Sequence, residues 1–142
     1  MLVVAAAALG VAWPALAEPD RAQAALDATL AQEIAGESPE AAAAFRSGNE
    51  LREKKDLDGA ASAYAEAARL APGSSHPLRR LCITNVQRGR EAVSQCREAL
   101  AKKDLPMIRT ALAAALRDAA GEAHLREAAA EAAIAFDREP TD

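Results

Sequence analysis

Apolar and polar residues alternate along this chain with the period of a helix. In "DRAQAALDATLAQEIA", residues 20–35, Ala22, Leu26, Leu30 and Ile34 recur every four residues and mark one helix face. Asp20 suits the N-cap of this helix and Gly36 its C-cap. "GESPE" breaks the pattern, with Ser38 placed to cap a second helix and Pro39 at that helix's first position. The second helix is predicted over 39–54, and "KKDLDG" is a turn. The third covers 58–71 and stops at Pro72-Gly73; Ser75 can cap a fourth over 76–88. Gly89 marks a tight turn before a fifth helix over 90–103, and "DLP" ends that helix. Pro106 starts a sixth over 106–119, Gly121 makes another turn, and a seventh fills 122–137 before the tail "REPTD". Short helices joined by brief loops predict an all-α fold, an array of antiparallel helix-turn-helix hairpins rather than one long coiled coil.

The first 17 residues follow a different rule. "MLVVAAAALGVAWPALA" has no charge, and it is shorter than the about 20 residues a membrane span needs. It ends in Ala15-Leu16-Ala17 just after the helix-breaking Pro14, the pattern of a secretory signal peptide cleaved after Ala17. No Lys or Arg precedes the apolar run, and no Cys near the cleavage point suggests a lipid anchor. The expected location is therefore periplasmic or extracellular, in an oxidising compartment, with no stable membrane span left after cleavage.

Composition narrows what the helices can do. Apolar residues make up 51% of the 142 but aromatics only 3%, so alanine must fill much of the core. Helices can then approach closely, but each buried residue removes little area from water, which predicts moderate stability. The net charge is −4, with acids and bases interspersed and no basic block. Nucleic acid is not expected as a partner.

Hairpins of this size raise the question of an internal repeat. In residues 41–74, Ala44, Ser47, Gly48, Leu51, Ala60, Tyr64 and Pro72 fall at the marker positions of a repeat of about 34 residues, W-x2-L-G-x2-Y, then A-x3-F, then P. Gly48, Ala60, Tyr64 and Pro72 fit, and Ala67 falls on a further small-residue position; Ala44 and Ser47 replace the Trp and Leu. This segment resembles a tetratricopeptide repeat (TPR). The same shift takes its first helix to Leu78, Leu81, Cys82 and Asn85, and a slightly shorter one takes its second to Ala92, Cys96 and Ala99. Leu112 and Leu116 continue the series weakly. The resemblance implies a short solenoid of two to three repeats: 41–74, 75–106 and a degenerate third hairpin, 107–138. Residues 18–40 would supply an N-terminal capping helix and linker, and 139–142 a tail. In such an array Gly48, Ala60 and Ala67 allow close helix approach, Tyr64 fills the seam to the next repeat and Pro72 stops the helix. Leu51, Leu78, Leu81, Ala92 and Ala99 are the other expected packing positions. An unrelated Ala-rich bundle is the alternative.

Cys82 and Cys96 each lie seven residues from Gly89. If Gly89 is the hairpin turn, the two side chains stand at matching heights on antiparallel helices, and a disulfide is expected. Two buried thiols acting as small hydrophobes are the alternative.

Catalytic chemistry is sparse. The two histidines are His76, expected in a solvated loop, and His124, which lacks companions at metal-ligand spacing. No phosphate-binding glycine loop and no nucleophile–base set stands out. The chain reads as a non-enzyme with no cofactor and no metal. The resemblance instead implies a concave face lined by the first helix of each repeat, here Phe45, Asn49 and Arg52, then Arg79, Ile83 and Val86. Phe45, Asn49, Arg52, Arg79 and Ile83 are the candidate groove for a protein or peptide partner, with the arginines facing a carboxylate. Some TPR proteins grip a C-terminal carboxylate with Lys, Asn and Arg; Asn49 matches one such position, but Phe45 stands where the lysine would be. The groove can also be filled by the helix of residues 20–35. The chain would then be a structural or assembly piece, or an accessory subunit of an exported enzyme complex.

Overall fold

The computed structural model describes residues 18–119 and 121–138. The expected signal peptide and tail lie outside the described residues. Seven helices and no strands are found among those described: α1 (Glu18–Ala35), α2 (Pro39–Glu53), α3 (Leu57–Leu70), α4 (His76–Gln87), α5 (Val93–Lys102), α6 (Pro106–Asp118) and α7 (Glu122–Arg138). Each helix packs on the next in chain order, and α4 also packs on α6.

Local signals account for most of the boundaries. Ser38 caps α2 by accepting from the Ala41 amide at 3.0 Å, with Pro39 at the first turn. Asp56 caps α3 through the Gly59 amide at 2.9 Å. Gly89 has φ +64, the left-handed conformation its tight turn requires.

Three expectations change. Helix α1 begins at Glu18, so Asp20 lies inside it rather than capping it. Ser75 precedes α4 but makes no side-chain capping bond. Helix α5 begins at Val93, three residues later than expected, because Glu91 turns back to accept from the Ser94 amide at 3.0 Å and from its hydroxyl at 2.6 Å.

The core forms three clusters. The first joins Leu30 and Ile34 of α1 to Phe45 of α2 and to Ala60, Tyr64 and Ala67 of α3. The second surrounds Cys82 and Cys96 and includes Leu112 and Leu116. The third holds Leu78, Ala99 and Ile108. Gly48 matters in the first. A Cβ there would lie 2.6 Å from Tyr64 Cε1, so only glycine lets the ring lie flat on α2. Tyr64 is fully buried, tilted against Phe45 with ring centroids 5.7 Å apart, and donates to Asn49 Oδ1 at 2.7 Å. The tyrosine thus closes the α2–α3 pair. Leu51 and Leu81 are half-buried and Ala92 is buried, whereas Pro72 is exposed. The Pro72 carbonyl accepts from Lys102 of α5.

The sulfurs of Cys82 and Cys96 lie at disulfide distance, with Cα atoms 5.4 Å apart. Helix α7 leaves Leu125 and Phe136 exposed.

Candidate functional site: the arginine-lined face under helix α1

Only half of the expected apolar stripe of α1 docks. Ala22 and Leu26 are exposed, whereas Leu30 and Ile34 are buried on Phe45. The docked stripe is Asp27, Leu30 and Ile34, which are three and four residues apart and so share a helix face. The aspartate carries the polar part of the contact. Asp27 pairs with Arg80 of α4 and lies 4.0 Å from the Arg52 guanidinium of α2. Nearly two turns further along, Glu33 meets His76 Nε2 at 2.9 Å. Residues of α1 therefore reach both α2 and α4.

Four of the five candidate groove residues lie in this region. Phe45 is fully buried and Asn49 nearly so; Arg79 is 7% exposed and Arg52 half-buried. Helix α1 thus covers the face expected to be open. Ile83 does not join them; it packs with the Cys82–Cys96 cluster. His76 is no solvated loop residue: it is the first residue of α4, 4% exposed, under Glu33. Burial lowers its pKa below the ordinary 6.5, against the opposing pull of Glu33.

The charge balance of the face is unusual. Arg52, Arg79 and Arg80 share it with one carboxylate, Asp27, within the cluster. Arg79 Nε and Nη2, Arg52 Nε and Arg80 Nε are buried without a hydrogen-bond partner. Burial first, and then the charge of Arg80, lower Arg79 to about 10, and burial likewise lowers Arg80. Both remain cations at neutral pH. Burial raises the Tyr64 pKa, while Arg52 and Arg80 pull it back. Removing charges from water costs several kcal/mol each unless partners compensate, and here the positive charges outnumber them.

Asp27, Glu33 and Arg80 were not among the residues singled out from sequence, and His76 was placed in a solvated loop rather than at this face. The one available signal was Asp27 itself, an acid on the same stripe as Leu30 and Ile34. No family model, curated protein or solved structure matches the chain.

Proposed function

We propose that this chain is an exported, TPR-like interaction module whose groove between α2 and α4 is held closed by its own helix α1. The observation that carries this reading is the cluster of two buried arginines, Arg79 and Arg80, and the half-buried Arg52 around the single carboxylate of Asp27. A helix packed only for structure is better served by apolar residues, because replacing buried ion pairs with hydrophobic side chains is often neutral or stabilising. A face that keeps surplus cations beside an apolar floor suits a ligand that brings anions.

The repeat reading rests on Gly48 lying under the Tyr64 ring and on the buried alanines 60, 67, 92 and 99. Export is supported by the Cys82–Cys96 pair, since disulfides persist in oxidising compartments. A second reading, a purely structural or assembly protein, is favoured by the complete burial of Phe45 beneath α1.

A pull-down from the exported fraction with the full chain separates the two. In the binding reading, Asp27→Lys increases recovery of a partner, and combining it with Arg52→Glu and Asn49→Ala abolishes recovery without changing helicity by circular dichroism. In the structural reading, recovery does not depend on any of the three.

A further inference from the structure

The contact of α1 with the groove also specifies the chemistry of what fits there. Resting on the groove reading above, we propose that the groove takes an acidic amphipathic helix from another protein, and that this helix binds by displacing α1.

Three observations lead to this partner. First, α1 is itself a helix seated on the face, and its docked residues define what the face accepts: a carboxylate, then apolar side chains three and seven positions later, here Asp27, Leu30 and Ile34. Second, the face is under-neutralised. Arg79 has two buried nitrogens without acceptors, and Arg52 and Arg80 have one each, so an acidic helix gains where a basic one is repelled. Third, α1 is held along half its length. The side chains from Arg21 to Leu26 are exposed, and the anchoring contacts lie between Asp27 and Ile34. A competitor therefore has few contacts to replace, although it must overcome the high effective concentration of a tethered helix.

Fluorescence anisotropy with a labelled synthetic peptide, DRAQAALDATLAQEIA, tests the exchange on the full chain. The receptors are the wild type and Asp27→Lys, whose own α1 is repelled by the arginines. The Asp27→Lys chain is expected to bind the peptide about tenfold or more tightly than the wild type. The peptide with Asn in place of the aspartate that corresponds to Asp27 should bind about tenfold more weakly, the range for a charged hydrogen bond. Adding Arg80→Met to the receptor should weaken binding of the parent peptide and leave the Asn peptide little changed. If circular dichroism shows that Asp27→Lys is unfolded, Leu30→Ala replaces it, loosening α1 without adding charge, with the same expectations. Equal affinity for both peptides, or no binding by a folded receptor, would overturn the proposal. A stable wild-type dimer that Asp27→Lys dissolves would also overturn it, by assigning the groove to α1 of a second copy. Arg52-dependent recovery of a partner alongside failed peptide binding would sink the exchange and leave the interaction reading standing.

Discussion

Substituting Gly48 with alanine tests the packing that joins α2 to α3. The new Cβ would stand 2.6 Å from Cε1, 2.7 Å from Cδ1 and 3.0 Å from Cζ of Tyr64. Those are atoms of a ring, not the free end of a flexible chain, and the ring has little room to retreat. Phe45 lies against it, and its hydroxyl is tied to Asn49 at 2.7 Å. Overpacking of this kind costs about 1–3 kcal/mol. Displacing the ring also puts the Asn49 bond at risk, worth about 1 kcal/mol. Alanine repays about 1 kcal/mol through its helix propensity. The net expectation is a loss of about 1–3 kcal/mol, a fall in Tm on the order of 5–10 °C. Urea unfolding with an unchanged m-value would measure it. In a Tyr64→Leu background the clash is gone, and the same Gly48→Ala change should be neutral or stabilising. If Gly48→Ala stabilises the protein with Tyr64 present, the ring does not lie over Gly48 and the account of this pair is wrong.

Three further expectations follow from the charges and the cysteines. Asp27→Asn leaves the buried guanidiniums of Arg79 and Arg80 and the half-buried one of Arg52 with no carboxylate in the cluster and should cost about 3–5 kcal/mol, whereas Arg79→Met removes an unpaired cation and should be neutral or stabilising; equal losses in urea unfolding would refute the asymmetry. His76 is held below 6.5 by burial, so the unfolded chain binds more protons just below that value. Stability is then complete above about pH 6.5 and falls as the pH drops toward the lowered folded value, a loss that His76→Gln should blunt in thermal melts between about pH 7 and 5.5. The Cys82–Cys96 bond would close a loop across a sequence separation of 14, and reducing it should cost about 3 kcal/mol in the chain-entropy model; two reactive thiols in the denatured, unreduced protein would show that the bond does not form.

The helices were legible because their signals are local. Pro39, Ser38, Gly89 and Pro106 act within a turn or two of their own positions, and the boundaries they mark lie close to the observed ones. The start of α5 was missed because Glu91, with no special backbone preference, folds back onto Ser94. The candidate site was legible on one side only. Phe45, Asn49 and Arg52 on α2 and Arg79 on α4 came from the groove that the repeat resemblance implies, but what lies on them depends on how α1 turns. A period of four placed Ala22 and Leu26 in the interface; the helix instead rotates to bring Asp27 to the arginines. His76 looked like a loop residue because Ser-Ser-His-Pro is a turn composition, but it opens α4 and meets Glu33 from a helix 43 residues away in sequence. Such long-range pairings leave no periodic trace in a single sequence.

Hydroxyl-radical footprinting tests most directly whether α1 closes the groove, because the chain carries its own reference. Its two phenylalanines differ sharply in exposure: Phe45 is 0% exposed and Phe136 77%. In the wild type, Phe45 should be oxidised many times more slowly than Phe136, and Asp27→Lys should bring the two rates together while leaving the buried Leu112 protected. Comparable oxidation of Phe45 and Phe136 in the folded wild type would contradict the closed groove and the account built on it.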